Sequence, residues 1–358
     1  MSIWRFADWM APVSSVHRIT LGEGNTPLVR SRSIGPAVGA ERLFFKLEGS
    51  NPSGSYKDRY AAVAISAMRE QGQSRCVATS SGNTGAALAA YCAAAGMPCE
   101  VALVEGAPQG KLLQMLAYGA KLKRVRGFGI DSEITRRTFE RLAELGKADG
   151  AALQISAYHY SPLGMSGVQS ISYELHEQCS ALRQSCDHVF APAGGGGLAL
   201  AIARGFAKLQ TAGELGHTPA VHVVQPEGND TIATPLRSGL DQARAVSCTS
   251  AISGLQVPSI IDGNQTLAEC RTSGGAGHTV SDDDVWRMQK RLAREEGIFC
   301  EPAAAVALAG AVQAIERQEL DKRATIVCLI TGSGFKDAAS IERMTSDAAC
   351  PTIDVDEL

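Results

Sequence analysis

Four glycine- and hydroxyl-rich loops carry the residues of this chain that could do chemistry. The first, Asn51-Pro52-Ser53-Gly54-Ser55-Tyr56-Lys57-Asp58-Arg59, sets a lysine in the first turn of a predicted helix. The positive end of a helix dipole disfavours an ammonium, so Lys57 is placed to present a free amine. A free amine is what a Schiff base with an aldehyde cofactor requires. A solvated lysine in a helix-opening turn would look the same. The second loop, Thr79-Ser80-Ser81-Gly82-Asn83-Thr84-Gly85, offers hydroxyls and unpaired amides at a helix start, an anion site suited to a carboxylate. The same residue types are also ordinary helix caps.

The third loop is Ala193-Gly194-Gly195-Gly196-Gly197-Leu198. Four consecutive glycines cost backbone entropy, so the loop does something that side chains would prevent. A backbone nest that cradles a phosphate is one account. A dinucleotide site is another: Gly194, Gly196 and Ala199 fit G-x-G-x-x-A, and Glu227 stands where a ribose-binding acid would. A flexible turn is a third. The fourth loop, Thr331-Gly332-Ser333-Gly334-Phe335-Lys336-Asp337, could set the neutral Thr331 hydroxyl against a ring nitrogen, or be one more glycine-rich turn.

Loops of this kind need strands that end where they begin. Strand-like runs at 43–47, 76–79, 99–104, 121–125, 151–155, 187–191, 220–224 and 325–329 alternate with helix-like ones. The helical pattern covers 58–69, 86–95, 109–118, 132–145, 168–179, 198–209, 282–296 and 302–315. This alternation predicts an α/β protein with parallel sheets and helices on both faces. In such sheets ligands bind at the carboxyl ends of strands, where all four loops lie. The stretch 228–277 is the least regular and is expected to cover the ligand cleft.

Composition narrows the function classes. In 358 residues, 45% are hydrophobic and 20% charged, which suits a globular core. The 34 Lys+Arg against 37 Asp+Glu leave a charge of −3 with no basic block, against a nucleic-acid or anionic-membrane footprint. No window approaches a membrane span of roughly 18 apolar residues. Charges at Arg5 and Asp8 interrupt what a signal peptide would keep apolar, so a cytoplasmic protein is expected. The ten cysteines show no C-x-x-C pair and no cluster with histidine, so buried structural thiols and no metal are expected.

Together the four loops resemble those of fold-type II pyridoxal-phosphate enzymes, most closely the threonine synthase family. The resemblance runs over nearly the whole chain. It includes Trp4-Arg5-Phe6, Leu21-Gly22-Glu23-Gly24-Asn25-Thr26-Pro27-Leu28, Lys46-Leu47-Glu48, Gln225-Pro226-Glu227 and Glu296-Gly297-Ile298-Phe299-Cys300-Glu301-Pro302-Ala303. It implies a tryptophan synthase β-like fold with two open sheets of parallel type, flanked by helices, and the cofactor in the cleft between lobes. The larger, cofactor-binding domain is expected at 1–74 and 166–358, the smaller, substrate-side one at 75–165.

By the same resemblance Lys57 is the Schiff-base lysine and proton shuttle, and Asn83 holds the phenolic oxygen of pyridoxal 5'-phosphate. The amides of Gly194, Gly195, Gly196 and Gly197 bind its phosphate, and Thr331 faces its ring nitrogen. A hydroxyl there does not enforce a protonated ring, which favours replacement or elimination over transamination. Ser80, Ser81, Gly82 and Thr84 take the substrate carboxylate. A homodimer is implied too.

One departure bears on substrate. Threonine synthases carry Asn-Pro-x-Arg-x-Glu-Gly-Gln where this chain reads Ser161-Pro162-Leu163-Gly164-Met165-Ser166-Gly167-Val168. The arginine that grips the substrate phosphate becomes Gly164, the loss of a contact worth roughly 1.5–3 kcal/mol. Arg59 or His159 is a candidate substitute. The expected activity is therefore β- or γ-replacement or elimination on a small amino acid with an activated side chain. Authentic threonine synthase and serine/threonine deaminase are the alternatives. A nicotinamide-dependent oxidoreductase on the glycine loop, and a non-catalytic protein that keeps the fold, are the readings from other classes.

Overall fold

The structure is a computed structural model; it describes residues 2–80, 82–107 and 109–357, with backbone alone at 109–111. Among the described residues ten strands form two sheets. The larger one takes β1 (Leu28–Arg30), β2 (Leu43–Leu47), β7 (His188–Pro192), β8 (Ala220–Pro226), β9 (Gly277–Val280) and β10 (Ile326–Ile330), in the order β1-β2-β10-β7-β8-β9. The smaller takes β3 (Arg75–Thr79), β4 (Cys99–Leu103), β5 (Lys121–Arg124) and β6 (Ala151–Gln154), in the order β5-β4-β3-β6. Of these ten strands only β1 pairs antiparallel. Strands covered on both faces read as apolar runs, and Ile326-Val327-Cys328-Leu329-Ile330 is buried throughout. Lys121, Lys123 and Arg124 on the edge strand β5 are exposed, which protects that edge from further pairing.

Helices follow the strands: α1 (Ile34–Ala37), α2 (Lys57–Glu70), α3 (Asn83–Ala94), α4 (Gln109–Ala117), α5 (Ser132–Gly146), α6 (Pro162–Val168) and α7 (Ser170–Ala181). Then come α8 (Gly197–Thr211), α9 (Ala233–Arg237), α10 (Gly263–Thr272), α11 (Asp282–Glu296), α12 (Pro302–Glu316) and α13 (Ala338–Met344). The α12 segment is apolar nearly all round, as a helix buried against a sheet must be. Two starts are plain in the sequence: Ser281 caps α11 through the Asp284 N–H ahead of an acidic first turn, and Pro302 opens α12. No helix among the described residues is long and apolar enough to cross a membrane.

Fifteen of the sixteen expected elements form as single elements, most of them shifted by one to three residues at an end. The helix expected at 168–179 is instead two, α6 and α7. At the junction Gln169 N–H bonds the Ser166 carbonyl and Ser172 N–H bonds that of Gln169, both three residues back, while the Ser170 hydroxyl takes the Gly167 carbonyl. Gly164 and Gly167 face α2: a Cβ at Gly167 would lie 2.1 Å from the Arg59 carbonyl oxygen, and one at Gly164 2.7 Å from the Tyr60 ring. Small residues there let α6 close on the helix that opens with Lys57.

That helix is held by a buried ion network. Arg59, two residues after Lys57, is fully buried and donates to Glu48 on one side and Glu174 on the other. Lys46 donates to Glu174 at 2.7 Å, so two cations balance two anions. Truncating one member strands an opposite charge in the core. Arg59→Ala is expected to cost about 3–5 kcal/mol, read as a lower urea midpoint at unchanged slope.

A second polar feature lies on the larger sheet, across β7, β8 and β9. His188 Nδ1 and His222 Nε2 are 3.0 Å apart, and His222 Nδ1 and His278 Nε2 are 3.1 Å apart. The Ala276 N–H donates to His222 Nδ1, which makes that nitrogen an acceptor and sets every ring of the row to its neutral Nε2–H form. Burial pushes all three below the usual histidine value, His278 to about 4 against a partly opposing Glu319. The unfolded chain therefore binds more protons, and stability present above pH 6.5 is lost as pH falls towards 4. About 3 kcal/mol should go by pH 4 on account of His278. Urea melts at pH 7, 5.5 and 4 check this, and His278→Gln should flatten the dependence.

Candidate functional site

All four loops converge at the carboxyl ends of β2, β3, β7 and β10, as the parallel topology requires. Lys57 is the first residue of α2, and its Nζ donates to the Ser156 hydroxyl just beyond β6. Its ammonium is pulled down to about 7, chiefly by burial, while Asp262 and Glu301 hold it partly up. Burial, more than the helix dipole, makes the amine available. The Tyr56 ring lies 4.5 Å from Nζ.

The glycine loop joins β7 to α8. Gly196 has φ +95°, and a Cβ there would stand 2.3 Å from Thr266 Oγ1, so only glycine fits. Among the described residues the N–H groups of Gly194, Gly195, Gly196 and Gly197 donate to no protein acceptor. Four unpaired amides at the start of a 15-residue helix make an anion nest. Ser156 borders it, its carbonyl oxygen 3.6 Å from a Cβ on Gly197, which ties this loop to Lys57.

Asn83 opens α3 and donates to Glu301 at 2.7 Å, while its Oδ1 is buried with no partner. Gly332 lets Glu301 reach it: a Cβ on Gly332 would lie 2.3 Å from the Glu301 carboxylate. Thr331 is buried, its carbonyl accepting the Tyr56 N–H at 3.0 Å, which brings the fourth loop to the first. The Ser80 hydroxyl accepts from Gly82 and Gly85 N–H, and so shapes the second loop while its own proton stays available. Thr84 is half-buried and makes no side-chain hydrogen bond with the described residues. Ser81 lies outside the described residues.

Buried polar atoms without partners gather here. Ser53, Ser55 and Asp58 of the lysine loop, with Asn83, supply four of the six such atoms among the described residues. Native structures leave few groups of this kind, so a cluster of them marks a place built for something else to bind. A cleft of about 410 Å³ lies beside them, lined by Ser53, Gly54, Gly82, Asn83, Gln114 and Lys336.

Three residues of the site were not singled out in the sequence: Ser156, Asp262 and Glu301. Asp262 is buried and accepts the N–H groups of Tyr158 at 2.8 Å and His159 at 3.0 Å. It thereby pins the Ser156 loop against the glycine loop. It belongs to the irregular stretch expected over the cleft; Glu301 lies in a segment that carries the family resemblance. The two proposed stand-ins for the missing arginine fare differently. Arg59 is committed to Glu48 and Glu174, away from the cleft, and is set aside; His159 is exposed and packs edge-on against Tyr160. Gly164 could not host a guanidinium, since its Cα faces Tyr60 and Ala64.

A buried amine, an amide nest and a polar cleft fit a phosphorylated aldehyde better than a dinucleotide, which has no use for Lys57. The comparisons with known proteins agree. A curated protein named threonine synthase, from Methanocaldococcus jannaschii, is 31% identical over 349 residues, 97% of this chain and 84% of that one. Among solved structures, maize serine racemase superposes with a TM-score of 0.75 at 24% identity, over 90% of this chain and 92% of that one. Diaminopropionate ammonia lyase from Escherichia coli gives 0.76 at 17%, over 94% of each. The family described as pyridoxal-phosphate dependent enzyme matches residues 19–332. With its fold, its lysine and that match in agreement, the chain belongs to the pyridoxal-phosphate dependent enzymes.

Proposed function

We propose that this enzyme carries out β- or γ-replacement or elimination on a small amino acid bearing an activated side chain, with Lys57 as its Schiff-base lysine and proton carrier. The observation that carries the reading is the buried Lys57 amine, drawn to about 7 and set beside the glycine nest. When bound, pyridoxal phosphate supplies an electron sink for charge that develops on the substrate carbon. Lys57 Nζ then takes and returns protons, and a pKa near neutrality suits both directions. The amides of Gly194 to Gly197 hold the phosphate, and the second N–H of Asn83 is offered to the phenolic oxygen. Thr331 keeps a neutral hydroxyl at the ring nitrogen. Ser80, Gly82 and Thr84, with Ser81, receive the substrate carboxylate.

Threonine synthase itself is the second reading, favoured by the relatives of that name. Gly164 speaks against it, because the guanidinium that would grip a substrate phosphate is absent. Deamination of serine or threonine is a third outcome of the same chemistry. The reading extends to a cytoplasmic homodimer with a larger unit at 1–74 and 166–358 and a smaller at 75–165; light scattering tests the dimer.

The absorption spectrum of the purified protein, with and without pyridoxal phosphate, tests the cofactor chemistry. A band near roughly 410 nm that vanishes on borohydride reduction, with the label on Lys57, is the expected result. A label on another lysine would overturn the assignment. Spectral screening then separates substrates, O-phosphohomoserine first, followed by O-phosphoserine, O-acetylserine, serine and threonine. Threonine formed from O-phosphohomoserine would establish the second reading instead.

A further inference from the structure

At the amino ends of β3 and β4, the end of the smaller sheet away from the Asn83 loop, three thiols lie within reach of one another. Cys76 on β3 and Cys99 on β4 are register partners across a parallel pair, and Cys92 comes down from α3. All three are buried, and their sulfurs lie within 4.8 Å of one another. Three thiolates sharing one central atom, at bonds of about 2.3 Å, would stand roughly 3.5 Å apart in a pyramidal arrangement and roughly 4 Å in a planar one. Small side-chain rotations close the difference.

Charge selects the central atom. The trio sits in the main hydrophobic core, and no basic side chain among the described residues bonds to it. The charge that does act on Cys99 is the Glu100 carboxylate, another anion. Three thiolates around a monovalent or divalent cation would leave a net negative charge in apolar surroundings, which is strongly unfavourable. Around a trivalent centre the charge is zero.

We propose that Cys76, Cys92 and Cys99 form a binding site for a trivalent thiophilic centre, with arsenous acid as its probe. In the reaction three S–H and three As–O bonds break, three As–S and three O–H bonds form, and three waters leave. Arsenic stays trivalent and nothing is oxidised or reduced. The neutral acid can enter a core that excludes ions. Once bound, the centre ties β3, β4 and α3 together. β3 runs on into Thr79 and Ser80 and α3 begins at Asn83, so the clamp fixes the far ends of the two elements that carry the loop assigned to the substrate.

The test is the intact mass of the native holoprotein after incubation with arsenite in a thiol-free reductant. One adduct is expected, heavier by one arsenic less three hydrogens. Cys92→Ala should abolish it and Cys350→Ser should leave it in place. Cys179 and Cys186, which also lie side by side, offer only two sulfurs, and capture there keeps a hydroxyl on the arsenic and shows a different mass. That mass, an adduct that survives in Cys92→Ala, or no adduct at all would overturn the proposal. Cadmium bound at these cysteines with arsenite excluded would overturn it as well. Should Cys92→Ala fail to show the parent's visible band and melting temperature without arsenite, Cys99→Ser takes its place.

Discussion

Lys57→Ala should remove the visible band of the holoenzyme and lower turnover by about 10⁴-fold or more, because in the proposed function one side chain both anchors the cofactor and moves protons. Lys57→Arg should not rescue either property, since a guanidinium stays protonated at any working pH. The pH dependence follows from the buried amine. With its pKa drawn down to about 7, the free base dominates above that value, and combination with added pyridoxal phosphate should be fastest there. Below about pH 6 the rate should fall close to tenfold per unit. Asp262 and Glu301 both favour the ammonium, so Asp262→Asn or Glu301→Gln should move the midpoint lower. Stopped-flow traces between pH 5 and 9 read all three enzymes. A midpoint at the ordinary lysine value would show that this amine is not buried in the working protein.

Gly196→Asp should weaken cofactor binding at least a hundredfold, or about 3 kcal/mol. Three effects add in the same direction. The residue sits at φ +95°, a backbone region an L side chain enters only with strain. Its Cβ would collide with Thr266 Oγ1, whose hydroxyl is tied to the Asp262 carbonyl. The new carboxylate would also stand in a nest of N–H groups shaped for an anion and oppose the phosphate. Gly196→Ala separates these: it keeps the strain and the collision but not the charge. Equilibrium titration of the cofactor by absorbance measures both variants. Unchanged affinity in Gly196→Asp would place the phosphate elsewhere.

Several elements that the sequence missed take their form from packing rather than from local pattern. β1 is three residues long, too short for periodicity to register, and β9 reads Gly277-His278-Thr279-Val280, with no apolar run; each pairs with a strand, β2 or β8, that the sequence does show. The α10 segment Gly263-Asn264-Gln265-Thr266-Leu267-Ala268-Glu269-Cys270-Arg271-Thr272 opens on glycine and is mostly polar, so it reads as loop. It is a helix because Leu267 and Cys270 pack into the core and Thr266 closes on the Asp262 carbonyl.

Local pattern determined a great deal of this protein. The alternation of apolar runs with helical stretches fixed its class, since parallel strands and their crossover helices each leave a periodic trace. The four loops were legible because glycine, hydroxyl and lysine residues at strand ends have few other uses, and the family resemblance joined them into one chemistry. Folding alone decided which charges face Lys57. Asp262 lies 205 positions along the chain from it and Glu301 lies 244, and no spacing rule links residues that far apart. Folding also decided that Arg59, two residues from Lys57, turns into the core, that Gly164 backs onto Tyr60, and that three scattered cysteines meet. Each depends on which helix face is covered and by what, and that is settled only when the two sheets and their helices pack together.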